Sequence, residues 1–354
     1  MNADNNKECS TCFFTCDFPG VTIGEDGRCN FCADNELADE HRAHTIFDLT
    51  ELKKIAEEIK KNKSGKYDCI IGASGGLDSS YVIYVAKKLL GLNPLVVKYD
   101  NGFNNELAVK NLETLCKNLD LDLIVTRSKK QYDLKYVRYL VKGLKHTGSY
   151  YGVCFYCHYI LPTTVYRYAL QHGIKTTLVS YNIYEDKLYL TRRFKMQFVK
   201  KAILGGGWWR LPKVAFYVAL ALYNLFRLKM EFYLPPFKNF YSLYPQTPPS
   251  LKAIDITKYI RWDVDKMVAT LEAETGWKAP APPHLPMRFD CRIGHSLGTV
   301  TYLNAVGMTG QAVMCNNLIY DGVRSKEQLI ESVEDHKKAL SGRMDDIMKQ
   351  LGLD

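Results

Sequence analysis

The sequence lacks an apolar leader, internal repeats and low-complexity segments. Residues 1–10 are polar with early acidic residues, unlike a secretory signal peptide. The apolar stretch Val214–Phe226 has thirteen residues without a charge, whereas a membrane-spanning helix needs about 20. We therefore expect no transmembrane segment and a cytoplasmic location, and we expect this stretch to be a helix buried within the protein, with docking to a partner or to a membrane surface as alternatives.

The eleven cysteines are an odd number in a chain without an export signal, which favours metal binding or catalysis over disulfides. Two pairs stand near the start, separated by sixteen residues, and they match the spacing of a four-cysteine zinc ribbon. A segment this short needs such a metal to fold. The predicted Zn²⁺ ligands are Cys9, Cys12, Cys29 and Cys32, with Cys16 as a spare thiol.

The remaining composition is that of a folded protein with anionic partners. The chain has 354 residues, of which 47% are hydrophobic and 24% charged, so it can bury one large core. The net charge of +9 is compatible with nucleotides, tRNA, a phosphorylated sugar or an acidic membrane surface as partners. It does not distinguish between them.

One stretch, Tyr67–Tyr81, combines a short apolar run with a glycine-rich turn and the start of a helix. Such a strand–turn–helix unit presents backbone N–H groups and a positive dipole end to an anion. The turn, Ser74–Ser79 (SGGLDS), has no lysine, so it is not a Walker-type loop. An ordinary junction of small residues is the alternative interpretation.

The pattern that follows alternates between strands and helices, as in a parallel α/β fold. Predicted strands are 69–72, 94–99, 122–126 and 176–180, and predicted helices are 80–90, 105–119, 132–144 and about 161–171. Ligands bind at the carboxyl ends of such strands. This places Ser74, Asp100, Asn101 and Ser180 on one rim, although Asp100 also fits a plain strand-end cap.

We divide the chain into five regions: a cysteine-rich ribbon (1–40), a helical connector (41–66), an ATP-binding α/β domain (67–194), an apolar helical insertion (195–250) and a helical C-terminal region (251–354). Cys154 and Cys157 form a further pair within the α/β domain, and Cys291 is a candidate third ligand. A second zinc site, an iron–sulfur cluster and catalytic thiols all remain open. The adjacent His158 fits a structural role better than a ligand role.

The SGGxDS pattern resembles the PP-loop of ATP pyrophosphatases, which split ATP into AMP and pyrophosphate. Three further stretches resemble the N-acetyl sugar amidotransferase family of bacterial surface-polysaccharide (lipopolysaccharide, O-antigen) synthesis. They are the paired cysteines around Pro19–Val21 and Gly27–Cys32, then Asp100–Glu106 with Ala108–Leu112, and finally Tyr259–Asp263 with Gly276–Lys278 and Arg288–Cys291. The resemblance covers most of the chain and is weakest at 195–245.

This resemblance implies an ATP-dependent, AMP-forming amidotransferase. ATP would activate the acetamido oxygen of an acidic N-acetyl sugar, and ammonia would displace AMP to leave an acetamidino group. A separate glutaminase and a histidine-cyclase-like subunit would supply the ammonia; Asn2 follows Met1, so the chain has no N-terminal cysteine nucleophile of its own. DNA is not an expected partner.

The resemblance also implies roles for individual residues. Leu77 departs from the lysine that many relatives carry, without excluding catalysis. The expected ATP-binding residues are Ser74, Gly75, Gly76, Leu77, Asp78, Ser79, Ser80, Asp100, Asn101 and Ser180. The expected catalytic residues are Asp78 (through loop order or Mg²⁺), Ser79, Asp100 and Lys187. Candidates for the sugar's carboxylate or diphosphate are Lys187, Arg192, Arg193, Arg288 and Arg292, and arginine binds both groups bidentately.

Two other functions remain open at this stage. A tRNA thiolase uses the same adenylation with sulfur in place of ammonia, and residues 152–158 resemble the cysteine pair with which such enzymes hold an iron–sulfur cluster. The basic net charge also suits tRNA, but the chain has no obvious added RNA-binding domain. A nucleotide-binding scaffold subunit would keep the loop without turning over ATP.

Overall fold

A parallel sheet of five strands, flanked by helices, forms the centre of the structure and confirms the predicted α/β fold class. The computed structural model describes residues 8–18, 20–33, 48–150, 152–180, 210–233, 247–281, 289–320, 322–338 and 340–353. The strands are β1 (Cys69–Gly72), β2 (Pro94–Tyr99), β3 (Leu123–Thr126), β4 (Thr176–Val179) and β5 (Lys252–Asp255).

The strand order β3-β2-β1-β4-β5 creates a switch point between β1 and β4. From β1 the chain first builds outward through β2 and β3, and then crosses to the other side of β1 for β4 and β5. All four pairings are parallel. β1 and β2 are apolar and almost wholly buried, because helices cover both faces of the sheet. A crevice therefore opens beyond the carboxyl ends of β1 and β4, where ligands bind in such sheets.

Strand β5 was not predicted from the sequence. It lies in the region assigned as helical, yet it pairs with β4 from Thr176↔Lys252 to Val179↔Asp255. The strand is only four residues long and its first two residues are exposed, so no apolar run marks it. The sheet therefore extends beyond the 67–194 range into the C-terminal part of the chain.

Eleven helices of eight or more residues occur in the described part of the chain. They are α1 (Leu49–Lys61), α2 (Leu77–Tyr84, continued by a π-helical turn Val85–Leu89), α3 (Glu106–Asn118), α4 (Tyr132–Leu144), α5 (Phe155–Gln171), α6 (Leu211–Glu231), α7 (Val264–Thr275), α8 (Arg292–Val306), α9 (Gly310–Tyr320), α10 (Lys326–Lys338) and α11 (Leu340–Leu351).

Local sequence explains several helix ends. The side chain of Asn105 accepts a hydrogen bond from the Leu107 N–H at 2.9 Å and caps α3. Asp263 caps α7 in the same way, and Gly276, with a φ of 74°, ends it in the left-handed conformation. Helix α5 begins at Phe155, one turn and a half before the predicted start near Leu161, because the paired cysteines form its first turn rather than a loop.

Helix α6 differs from the expectation of a short buried helix. It has 21 residues, so it is long and apolar enough to cross a membrane by length and composition. Only 28% of its most apolar window is buried. The buried face, with Val214, Ala221, Leu225 and Leu228, packs along α4 in one hydrophobic cluster. The opposite face is exposed, which corrects the prediction of a helix enclosed by the protein.

Candidate functional site

The SGGLDS turn is a compact loop that opens helix α2. The Ser79 hydroxyl oxygen accepts hydrogen bonds from the backbone N–H groups of Ser74 (3.2 Å) and Gly75 (3.3 Å). The Ser74 hydroxyl in turn accepts one from the N–H of Gly76 at 3.3 Å. These groups point toward one another at the positive end of α2. An anion at this place would find both the backbone amides and the serine hydroxyls within reach.

Gly75 is required by the close approach of α3. Its φ is 90°, and a Cβ at this position would lie 1.9 Å from the backbone oxygen of Ala108. No side chain fits there without moving the helix, so the loop and α3 are fixed against each other. Glycine at position 75 is therefore a geometric requirement of the loop.

Two tryptophans from the C-terminal part of the chain hold the loop from outside the sheet unit. Trp262 Nε1 donates a hydrogen bond to Asp78 Oδ1 at 2.8 Å. Trp277 Nε1 donates one to the carbonyl oxygen of Gly75 at 3.0 Å and is fully buried. A carboxylate that binds an indole N–H orders the loop. This contact supports the ordering role considered for Asp78, whose catalytic role stays a prediction.

A buried lysine lies beside the loop. Lys98 is in β2, is 3% exposed, and donates a hydrogen bond from Nζ to the Ser74 carbonyl oxygen at 2.8 Å. It forms no ion pair with any residue that the structure describes. Burial lowers the pKa of its ammonium group, while the negative charges of Asp290 and Asp100 oppose this effect. A buried cation with unused donors favours an anionic ligand.

Lys98 was not predicted as a site residue, because the preceding residues of PLVVKY mark a buried strand. The signal was nevertheless present, since a charge within a strand that is covered on both faces is costly unless it has a function. Asp290 was not predicted as a site residue either, although it lies within the stretch Arg288–Cys291 that carries the resemblance. Its Cγ lies 3.5 Å from the position of a Cβ on Gly76, so the carboxylate faces the loop.

These groups line a cavity of about 730 Å³ at the switch point of the sheet, a volume typical of small-molecule sites. One wall is apolar, with Ile71, Val97 and Leu178. The polar residues that line it include Ser74, Asp78, Ser79, Lys98, Asn101, Asn104, His158, Ser180, Asp290 and His295.

Seven of the ten predicted ATP-binding residues line this cavity. Ser74, Gly76, Leu77, Asp78, Ser79, Asn101 and Ser180 line it. Ser80 is fully buried and its hydroxyl has no partner in the described structure. It does not belong to the cavity wall, and neither does Gly75. Their predicted roles in phosphate binding stay predictions.

Asp100 occupies the turn after β2 instead of the cavity wall. Its Oδ1 accepts hydrogen bonds from the Gly102 N–H at 2.9 Å and from Asn104 Nδ2 at 2.8 Å. Its Oδ2 lies 3.3 Å from the guanidinium of Arg127. These contacts fit the strand-end role that was considered as the plain alternative, and the ATP-binding and catalytic roles of Asp100 stay predictions.

The predicted sugar-binding cations are largely outside the described part of the chain. Lys187, Arg192, Arg193 and Arg288 belong to the residues that are not described, so their roles stay predictions. Arg292 is described; it is exposed, donates a hydrogen bond to Gln350 Oε1 at 2.8 Å, and does not line the cavity.

Cys154, Cys157 and Cys291 converge on the cavity. Burial raises the pKa values of Cys157 and Cys291, and for Cys157 the two neighbouring thiols add to the rise. Asn101 Nδ2 donates to the Cys291 sulfur at 3.5 Å. The three sulfurs do not meet within the 4.8 Å that unites the N-terminal cysteines, so the structure contains three neighbouring thiols and not a closed ligand set.

The four N-terminal cysteines do form a closed set. Cys9, Cys12, Cys29 and Cys32 are buried and their sulfurs lie within 4.8 Å of one another. The Cys9–Cys32 and Cys12–Cys29 sulfur distances are both 3.7 Å, close to the roughly 3.8 Å between thiolates around a tetrahedral zinc ion.

Backbone N–H groups donate to these sulfurs, for example Cys29 N to Cys9 Sγ at 3.2 Å. Hydrogen bonds from Cys12 and Cys32 lower the pKa of Cys29. This arrangement is able to hold a metal such as zinc, and Cys16 is not part of it. Because Lys326 Nζ donates to the Cys9 carbonyl at 2.7 Å, the cluster is attached to the C-terminal helices.

Two of the three stretches that carry the family resemblance, 100–112 and 259–291, meet around the loop. Asn111 in α3 forms two hydrogen bonds with the backbone of Lys278, one to its oxygen at 2.8 Å and one from its nitrogen at 3.0 Å. The Asp290 carbonyl accepts from the Asn105 N–H at 2.9 Å. Segments that are distant in sequence therefore form one wall of the phosphate loop.

Comparison with known proteins agrees with this site. Residues 49–139, about a quarter of the chain, match the family model described as NAD synthase, a PP-loop domain. An uncharacterized protein of Methanocaldococcus jannaschii is 37% identical over 78 residues, which cover 21% of this chain and 28% of that protein. The chain thus matches well under half of that relative's length. The match to the family model covers the SGGLDS loop, so this chain contains a domain similar to NAD synthase.

Proposed function

We propose that this protein is an ATP-dependent amidotransferase acting on an acidic N-acetyl sugar. In the first step the acetamido oxygen attacks the α-phosphorus of ATP, which forms an O-adenylyl imidate and releases pyrophosphate and a proton. In the second step ammonia adds to the imidate carbon and AMP leaves. The product carries an acetamidino group in place of the acetamido group.

The observation that carries this proposal is the arrangement of the cavity. A phosphate loop, a buried ammonium and an apolar wall surround one space at the carboxyl ends of β1 and β4. The similarity of residues 49–139 to NAD synthase supports ATP-dependent amidation in general. The sugar substrate and a role in lipopolysaccharide or O-antigen synthesis rest on the sequence resemblance.

Each group in the cavity has a role in the proposed reaction. The loop amides and the hydroxyls of Ser74 and Ser79 hold the departing pyrophosphate. Lys98 supplies the positive charge that the loop lacks at Leu77. Asp290, which faces the loop, and Asp78 within it would hold Mg²⁺, which prefers oxygen ligands and would offset charge on the phosphates. The catalytic role of Lys187 remains part of this proposal.

The partners and the compartment are also proposals. The +9 charge favours an anionic sugar, free or nucleotide-linked. A glutaminase and a histidine-cyclase-like subunit would provide ammonia. We assign the enzyme to the cytoplasm because four of its thiols form a metal-ligand cluster instead of disulfides. Zinc is the proposed metal there, in a structural role.

A tRNA thiolase is the second candidate, and the convergence of Cys154, Cys157 and Cys291 on the cavity favours it. An iron–sulfur cluster on these thiols would carry sulfur to an adenylated base. A nucleotide-binding scaffold without turnover is the third possibility, since a loop can bind ATP without any subsequent chemistry.

One experiment separates the three functions. Protein purified without oxygen is analysed for metals and absorption, and then incubated with ATP, Mg²⁺, ammonium and a panel of free and nucleotide-linked acidic N-acetyl sugars. AMP that forms only with both sugar and ammonium, with about one zinc per chain, supports the amidotransferase. The Ser79→Ala variant should lose this activity, and the Cys154→Ala variant should keep it.

The other outcomes point elsewhere. A brown protein with about four irons, lost on Cys154→Ala, together with AMP release that requires tRNA, indicates the thiolase. ATP binding without AMP release under any of these conditions indicates the scaffold.

A further inference from the structure

An exposed apolar face on helix α6 has no role in the site described above. The side chains of Phe216, Leu222, Tyr223 and Met230 are between 51% and 60% exposed. At 100° per residue they fall, with Ala215, Ala219 and Phe226, within about a third of the helix circumference. This surface, the α6 ridge, is about 27 Å long from Pro212 to Met230 at a rise of 1.5 Å per residue.

The ridge contains a large share of the exposed apolar surface. Of the twelve large apolar side chains that are exposed in the described structure, five are in α6 and a sixth, Tyr233, follows it. The remaining six are scattered singly over other elements. An apolar patch of this size on a folded protein marks an interaction surface.

Positive charges surround the ridge. Lys145, Arg210 and Lys213 cluster near its N-terminal end, where their charges add to the effect of burial in lowering the pKa of His146. Lys142 lies 5.1 Å from the ring of Tyr217.

The other end of the ridge is also basic. Arg227 Nη2 donates to the Tyr132 hydroxyl at 3.0 Å, and Lys135 lies 5.5 Å from the Tyr132 ring. Both elements that build this face, α4 and α6, therefore contribute cations beside the apolar side chains.

Neither helix presents an acidic side chain that offsets these cations. The two carboxylates within α4 and α6 are Asp133 and Glu231. Asp133 is buried and accepts a hydrogen bond from the Tyr99 hydroxyl at 2.6 Å. Glu231 binds the Ser128 hydroxyl at 2.7 Å and the Lys129 N–H at 2.6 Å.

We propose that the α6 ridge docks the protein on a membrane surface rich in anionic lipids, with α6 lying in the plane of the interface. An apolar stripe bordered by lysine and arginine is the signature of such interfacial helices. Each cation near an anionic surface strengthens binding by about fivefold.

A crossing orientation does not fit, because α6 would have to leave α4. Gly143 of α4 approaches so closely that a Cβ there would lie 2.9 Å from the Tyr217 Cβ, and Lys229 is buried against the Tyr159 ring. A second copy of the chain also fits poorly, since a symmetric contact would bring the two rings of cations together.

The test is vesicle flotation with the full chain, using phosphatidylcholine vesicles with and without phosphatidylglycerol. We expect binding to the anionic vesicles that weakens as salt is raised, because the attraction is screened. The Phe216→Asp/Leu222→Asp variant should bind at least 10- to 100-fold more weakly, as expected when buried apolar side chains are lost. Lys213→Glu should weaken binding by fivefold or more.

Matched controls lie on another face. Ile330 in α10 is 45% exposed and Lys337 is exposed, so Ile330→Asp and Lys337→Glu should bind as the unchanged protein does. Thermal unfolding of each variant tests whether the ridge is solvent-exposed. The proposal would be overturned if the unchanged protein did not bind vesicles and only the ridge variant unfolded at a lower temperature. Those two results together would mean that other residues of the protein cover the ridge.

Two other results would also overturn it: equal binding to both kinds of vesicle by all variants, and a concentration-dependent dimer that the ridge substitutions dissociate. The proposal does not depend on the chemistry of the cavity, because vesicle binding is measured without ATP or sugar.

Discussion

Replacing Lys98 with methionine tests whether the buried ammonium serves the phosphate loop. The substitution keeps most of the apolar stem within β2 and removes the charge and its donors. Lys98 Nζ already lies 2.8 Å from the Ser74 carbonyl oxygen, at the start of the loop. It is therefore placed to reach the phosphates of a nucleotide bound there.

The expected loss follows from the type of contact. A hydrogen bond to a charged group is worth roughly 1.5–3 kcal/mol, which corresponds to about 10- to 100-fold in affinity. We expect Lys98→Met to raise the Kd for ATP by this factor and to slow AMP formation at least as much. Lys110→Met, an exposed lysine on α3, is the matched control and should bind ATP normally.

Isothermal titration with ATP and Mg²⁺ measures the affinity, and thermal unfolding verifies the fold of both variants. An unchanged Kd for a folded Lys98→Met protein would refute the reasoning. In that case the lysine would contribute only to the structure of the loop.

The same substitution has a pH signature in the absence of ligand. Burial lowers the pKa of Lys98 in the folded state, so the unfolded chain binds the proton more tightly. This penalty on folding is fully present below the lowered pKa and disappears as pH rises through the ordinary lysine value of about 10.4. The stability of the unchanged protein relative to Lys98→Met should therefore increase from pH 8 toward pH 10.5. Urea unfolding measures the free energy of unfolding of both proteins at each pH. A difference between the two that stays constant across this range would contradict the assignment.

Three further substitutions test the loop and the metal cluster. Trp262→Phe removes the hydrogen bond to Asp78, and we expect ATP affinity to fall by about tenfold, measured by titration. Gly75→Ala should abolish ATP binding and lower the unfolding temperature, because its Cβ would overlap the backbone of α3. Cys29→Ser should release the metal bound by the four-cysteine cluster and lower the unfolding temperature, as followed by metal analysis and calorimetry.

The glycine and cysteine substitutions have controls within the chain. Gly298 lies in α8 with no atom within 4 Å of its Cβ position, so Gly298→Ala should leave ATP binding intact and stabilise the helix by up to about 1 kcal/mol. Cys16→Ser should keep the metal, because Cys16 is outside the cluster. Equal metal loss in Cys16→Ser and Cys29→Ser would mean that the ligand set is wrong.

Much of the sheet could be predicted from local pattern. The runs at 69–72 and 94–99 are apolar, bounded by turn residues, and occur in the structure with the same limits. The six-residue displacement of the start of α5 and the missed strand β5 share one cause. Neither segment carries a distinctive local pattern, and both are fixed by contacts with residues far away in sequence.

The site was predictable only in part for the same reason. The loop is contiguous, so its glycines and serines could be read directly. Lys98 and Asp290 come from other segments, and their position beside the loop depends on the β1–β2 register and on the return of the chain after α7. Asp100 lies at the edge of the sheet where the sequence predicts the site, but its carboxylate contacts Arg127 and does not line the cavity.

The sequence by itself determined the parallel α/β class, the glycine-rich loop and the set of four cysteines able to hold a metal, because each depends on residues close together in the chain. Only the tertiary structure decided which groups share the cavity and which face of α6 is exposed. Periodicity indicates that a helix is apolar, but burial depends on what packs against it. In this protein α4 covers one side of that helix, and no described residue covers the other.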